Sequence, residues 1–153
     1  MQNYRPINNL NFISKIVEKV VIKQVMQHVD TCYPLPDYQS AYRPNYSTET
    51  LLLKFQADIL SRMDKQEVSM VVLIDLSAAF DTIDHNIMLN VLQSEFHITG
   101  NVLNWFSTYL THRSQQVKVN EHISEPLFTD IGCPQGSCLG PICFTLYVTC
   151  KYT

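Results

Sequence analysis

The sequence predicts an α+β domain of helices packed with short antiparallel strands. Three observations carry that class. Apolar residues recur at helical spacing through several long segments. Two stretches, Met70–Ile74 and Gln115–Phe128, have the β-branched or alternating pattern of strands. At 46% hydrophobic and 16% charged, the chain has the balance of a globular protein. Its 153 residues suffice for one domain burying roughly 70% of its unfolded surface.

The first helix is expected over residues 12–29. Phe12, Ile13, Ile16, Val17, Val20, Val21, Val25 and Val29 make one apolar stripe, with Lys15, Glu18, Lys19, Lys23 and Gln27 on the other face. Its β-branched residues lower intrinsic propensity, so packing must hold it. Tyr33-Pro34-Leu35-Pro36-Asp37 ends it in a loop. A second helix starts near Ser47 or Thr48, both good N-caps, with Glu49 near the positive end of the dipole. Leu51, Leu52, Phe55, Ile59 and Leu60 are its expected core face.

A buried strand is expected over about Val68–Ile74, followed by a turn to Asp84. A third helix spans about Asn86–Phe96, with Ile87, Leu89, Val91 and Leu92 apolar, and Thr99-Gly100 breaks it. Val102, Leu103, Phe106, Tyr109 and Leu110 mark a fourth. Gln115–Asn120 turns back through Glu121-His122 into Ile123–Phe128 as a hairpin, with Pro126 suited to an edge. A final helix runs over Cys138–Tyr147 with Pro141 in its first turn.

The net charge of −3 is unevenly spread. Residues 1–75 hold eight Lys/Arg against eight Asp/Glu, and residues 76–153 hold three against six. Nucleic-acid affinity comes largely from a basic face, so strong binding by this piece alone is not expected. The five cysteines are an odd number without a Cys-x-x-Cys, which indicates free thiols in a reducing compartment, not a disulfide framework or zinc site. The N-terminus lacks the apolar core of a signal peptide, and no apolar run approaches the ~18 residues of a membrane span. An intracellular location, cytoplasm or nucleus, is the expectation.

Two stretches carry the chemistry. In Val71-Val72-Leu73-Ile74-Asp75-Leu76-Ser77-Ala78-Ala79-Phe80-Asp81 an apolar run drives into a carboxylate. A carboxylate at the rim of a core is paired, hydrogen-bonded or bound to a cation, so Asp75 is either a helix cap or a metal ligand. Gly132-Cys133-Pro134-Gln135-Gly136-Ser137-Cys138-Leu139-Gly140-Pro141 holds three of the four glycines and two of the seven prolines. It reads as a rigid loop opening a helix, either an ordinary tight turn or a shaped ligand loop in which Gln135 offers a donor and an acceptor.

Together these stretches resemble the reverse transcriptases of non-LTR (LINE-type) retrotransposons. Leu73–His85 resembles that family's first palm motif, and Gly132–Pro141 its second, centred on Pro-Gln-Gly. Tyr4-Arg5-Pro6-Ile7 is similar to the start of its fingers region. Tyr38-Gln39-Ser40-Ala41-Tyr42-Arg43-Pro44, with Ser47-Thr48-Glu49, is similar to the next fingers block. Group II intron reverse transcriptases are the alternative family, and a non-catalytic RNA-binding remnant is the alternative role. Leu-Ser-Ala-Ala-Phe-Asp at 76–81 and Ser-Thr-Glu at 47–49 favour the LINE reading.

The resemblance implies an incomplete fingers/palm of a right-hand polymerase, fingers-like over about 1–67 and partial palm over about 68–153. It implies template-directed addition of deoxynucleotides to a primer, with RNA template and DNA primer as partners and Mg²⁺ as cofactor. It makes Asp75 the catalytic metal ligand, with the carbonyl of Leu76 as a second oxygen. Phe80 takes the place of a ring that excludes a 2′ hydroxyl. Gln135 and Gly136 line the nucleotide pocket, Arg5 grips the triphosphate, and Gln39 and Arg43 lie near the template. Asp81 has two readings: orienting the metal site from outside its ligands, or capping the turn after Phe80. Asp84 is a weaker case of the same kind, and His85 is structural.

The family's third palm motif carries an Asp-Asp pair, and no such pair occurs in this sequence. The tail from Val148 to Thr153 also departs from the family's continuation. The expectation is a truncated copy, inactive alone, whose apolar Met70–Ile74 edge promotes self-association.

Overall fold

The computed structural model describes residues 7–76 and 78–149. These residues fold as α1 (Phe12–Cys32), α2 (Thr48–Asp64), α3 (His85–Ser94), α4 (Gly100–Leu110), the short strands β1 (Arg113–Gln115), β2 (Lys118–Val119), β3 (His122–Ile123) and β4 (Leu127–Thr129), and α5 (Gly140–Thr149). Mixed helices and small antiparallel ladders agree with the α+β class. The chain divides into two compact units, one from Met1–Pro34 with Ala78–Thr153, the other from Leu35–Ser77.

The larger unit holds the core. Asp84 caps α3 by accepting from the backbone N–H groups of Asn86 and Ile87, at 2.9 and 3.0 Å. Spacing of three and four then turns His85, Met88 and Leu92 inward. Phe106, Tyr109 and Leu110 of α4 and Ile142, Cys143 and Leu146 of α5 meet them in a buried interior.

The first helix corrects the sequence reading in its extent, in its buried stripe and at Glu18. It extends to Cys32, where the Tyr33 N–H donates to the Val29 carbonyl. Its stripe is buried only in the C-terminal half, at Val25 and Val29, while Phe12, Ile13, Ile16, Val17 and Val20 stay exposed. Glu18, assigned to the polar face, is only 3% exposed. It lies on the line of Ile22, Val25 and Val29, the line that turns to the core.

The hairpin forms with an interruption. Lys118 pairs Ile123 and Val119 pairs His122, around a turn in which Asn120 takes φ 54°. The outer arms pair Arg113 with Thr129 and Gln115 with Leu127. Pro126 sits between the two ladders and has no N–H to donate. Ser124 bridges the gap: its N–H donates to the Val117 carbonyl and its hydroxyl accepts from the Val117 N–H, both at 2.9 Å.

In the smaller unit, Ser47 caps α2 in a reciprocal box with Thr50. The expected core face of α2 is not buried: Leu51, Leu52, Phe55 and Leu60 are exposed, and only Ile59 is half-buried. The expected strand over Val68–Ile74 is also corrected. It forms no ladder, and Val68, Leu73 and Ile74 are 99%, 90% and 85% exposed. A strand exists through its pairing partners, and none of the described residues pairs with this run. Its first part instead borders a groove of about 330 Å³ beside Phe55, Ile59 and Arg62.

Candidate functional site

The two chemistry-bearing stretches meet inside the larger unit. Asp81 N–H donates to the Ala78 carbonyl at 2.8 Å, closing a turn that puts Phe80 at its side. The Gly132 N–H then donates to the Ile83 carbonyl at 2.7 Å, and the Cys133 N–H to the Phe80 carbonyl at 2.8 Å. Gly132 has φ +86°, and a Cβ there would come within 3.1 Å of the Asp81 Cα. Both the conformation and the close approach require glycine. Buried His85 completes the seam by donating from Nε2 to the Gly132 carbonyl at 2.8 Å, which confirms its structural role.

Side chains reinforce the join. Gln135 Nε2 donates to both carboxylate oxygens of Asp81, each at 3.0 Å. Asp81 therefore holds the loop; the turn after Phe80 is closed by its backbone and by Thr82, whose hydroxyl donates to the Ala79 carbonyl. Half-buried Phe80 leans edge-on against Phe144 of α5, with ring centroids 5.7 Å apart. The Asn8 N–H donates to the Gln135 carbonyl at 2.9 Å, and Gly136, at φ +99°, has the Asn8 carbonyl 3.3 Å from where a Cβ would stand.

Beneath the loop lies a buried polar chain that the motifs do not announce. Glu18 Oε2 accepts from the Ser137 hydroxyl at 2.8 Å and from the Cys138 N–H at 2.7 Å. A carboxylate only accepts, so Ser137 spends its proton on Glu18 and receives one from Tyr109, whose hydroxyl is 2.6 Å away. The Ser137 oxygen also accepts from the Leu139 N–H at 3.0 Å, at the entry to α5. Glu18 thus sits at the positive end of a helix with its desolvation offset by charge-assisted bonds. Burial pushes the Tyr109 hydroxyl well above its ordinary range, so it remains a neutral donor. Cys143, in contact with Cys133 and buried, is likewise pushed up and stays a thiol.

Sequence reasoning missed Glu18. The signal was its position on the Ile22–Val25–Val29 line, a charge inside the buried stripe. Tyr109 read only as an apolar helix residue, and its hydroxyl was the unused clue.

The structure brings Phe80, Gln135 and Gly136 together. Asp75, Leu76, Gln39 and Arg43 belong to the smaller unit. There Arg43 donates to the Pro36 carbonyl at 3.3 Å and stacks over Tyr46 at 4.6 Å. The Gln39 amide donates to the Ala41 carbonyl at 3.4 Å. Asp75 and Leu76 are exposed. Arg5 lies outside the described residues. Among the described residues no three His, Cys, Asp or Glu side chains gather as a group that could hold a metal ion. Among them, no helix is long and apolar enough to cross a membrane.

Comparison with known proteins gives a consistent family. The profile described as Reverse transcriptase (RNA-dependent DNA polymerase) matches residues 1–150. The chain is 29% identical over 146 residues to a probable RNA-directed DNA polymerase from transposon BS of Drosophila melanogaster, covering 95% of this chain and 16% of that protein. It is 28% identical over 146 residues to that of the transposon X-element of the same species, covering 95% and 16%. It is 24% identical over 149 residues to the RNA-directed DNA polymerase from mobile element jockey, again of Drosophila melanogaster, covering 97% and 16%. The chain spans about 16% of the length of each of these relatives.

Proposed function

Because the chain belongs to the reverse transcriptase (RNA-dependent DNA polymerase) family, in its non-LTR retrotransposon branch, we propose that it supplies the nucleotide-facing part of an RNA-directed DNA polymerase. The single observation that carries this reading is the join of Phe80 and Asp81 to the Gly132–Pro141 loop through the Cys133–Phe80 and Gln135–Asp81 bonds. Segments 54 residues apart form one preorganised surface with an aromatic ring, an amide and an open glycine. That combination suits a sugar and base better than a bare ion.

In this reading residues 1–67 are fingers-like and residues 68–153 are part of a palm. Phe80, Gln135 and Gly136 contact the deoxynucleotide, Arg5 its triphosphate, and Gln39 and Arg43 the RNA template. Reverse transcriptases use Mg²⁺. Asp75 and the Leu76 carbonyl are the oxygens this chain offers to such an ion, with the remaining donors not among its described residues. The sequence contains no Asp-Asp pair, so we assign no independent polymerase activity to the chain.

Primer extension on an RNA template with Mg²⁺ and deoxynucleotides tests this. No extension is the expected result. Extension that Asp75→Ala abolishes would overturn the assignment of inactivity.

A further inference from the structure

The carboxylate of Asp81 can only accept, so the Gln135 nitrogen, 3.0 Å from both of its oxygens, must be the inward edge of the amide. The amide oxygen faces away. Turning the amide over would set three oxygens against one another at the same spacing. The backbone that carries the side chain is itself held. Asn8 holds the Gln135 carbonyl, Phe80 holds the Cys133 N–H, and Glu18 holds Ser137 and Cys138.

We infer that Asp81 is a positioning residue that fixes the Gln135 amide with its oxygen outward, so that the loop selects a ligand bearing a hydrogen-bond donor at that point. The donor is a hydroxyl or an amino group of a nucleotide, a refinement that rests on the nucleotide reading of the loop. A site built to accept a hydrogen bond discriminates against an analogue that lacks the donor, because the acceptor is then left unpaired.

The test uses the full chain, labelled with ¹⁵N, and needs no catalysis. The Gln135 side-chain NH₂ is expected as one pair of signals, shifted and slowed in exchange by the carboxylate. In Asp81→Asn the partner offers both a donor and an acceptor, and the signals should move toward the average of the two rapidly exchanging orientations. The exchanged pair Asp81→Asn with Gln135→Glu keeps the net charge, reverses the bond and still turns an acceptor outward. Binding is then compared for dATP, for the purine analogue lacking the amino group, and for 2′,3′-dideoxyATP lacking the sugar hydroxyl. One of the two analogues should bind roughly tenfold more weakly than dATP, the size of one lost hydrogen bond. That ratio should shrink at least twofold in Asp81→Asn, as the competent orientation is diluted, and return in the exchanged pair. Unchanged Gln135 side-chain signals in Asp81→Asn would overturn the inference, as would equal binding of all three nucleotides. If the wild-type chain binds none of them, the nucleotide reading fails, while the amide signals still decide whether Asp81 orients Gln135.

Discussion

Glu18 and Ser137 are 119 residues apart in sequence, yet the hydroxyl of one donates to the carboxylate of the other at 2.8 Å in a buried setting. This bond ties the first helix to the Pro-Gln-Gly loop from below. The Gln135–Asp81 pair ties the same loop from its exposed side. The two anchors hold the loop on opposite sides, the kind of preorganisation that favours binding.

Glu18→Gln should destabilise the chain by about 2 kcal/mol, the usual scale for losing hydrogen bonds to a buried charge, with one amide edge left facing N–H donors. Urea unfolding followed by the fluorescence of Trp105, the sole tryptophan, reads this directly. Trp105 stacks on Tyr109 at 5.5 Å and so reports on the same network. An unchanged midpoint would contradict the anchoring role.

Tyr109 predicts an alkaline limit. Its folded pKa is raised above that of the unfolded chain, chiefly by burial, so its contribution is complete below about pH 10 and falls as pH climbs toward the folded value. There the unfolded state loses a proton that the folded state keeps. Stability should drop by roughly 1.4 kcal/mol per pH unit above pH 10 from this group. Tyr109→Phe should remove that component of the slope while costing about 1 kcal/mol at neutral pH. Chemical unfolding at a series of pH values from 7 to 11.5 separates the two effects.

Gly132→Ala should cost about 3 kcal/mol, since it adds a clash with the Asp81 backbone to the strain of a left-handed residue. Gly100→Ala is the matched control. Its φ is +61° but nothing lies within 4 Å of the added carbon, so about 1 kcal/mol is expected. Equal melting temperatures for the two variants would argue against close packing of the loop on the Asp81 turn.

Met70–Ile74 is apolar and exposed, a run without a ladder. The wild-type chain should self-associate with rising concentration, and Leu73→Lys should weaken that association. Sedimentation velocity checks both. A sharp wild-type monomer with cooperative melting would contradict it.

What was legible in the sequence follows the range of the interactions. The third to fifth helices and both hairpin arms depend on near neighbours, and all formed. Strand pairing at Val68–Ile74 and burial of Leu51 and Phe55 depend on partners that the described residues do not supply. Apolar character there marked a demand for burial without showing what would meet it. At the candidate site, Phe80 and the Pro-Gln-Gly loop stood out as motifs. The bond between Asp81 and Gln135, and the carboxylate of Glu18 beneath them, arise from long-range packing that no local pattern records.

If Phe80, Gln135 and Gly136 form the proposed nucleotide-facing surface, a nucleotide should perturb them together. Titrating the ¹⁵N-labelled chain with dATP and following every amide tests it most directly. Concentration-dependent shifts concentrated at these three residues and Asp81 are expected, with the β2–β3 turn around Asn120 unmoved. Shifts absent from that cluster, or centred elsewhere, would contradict it.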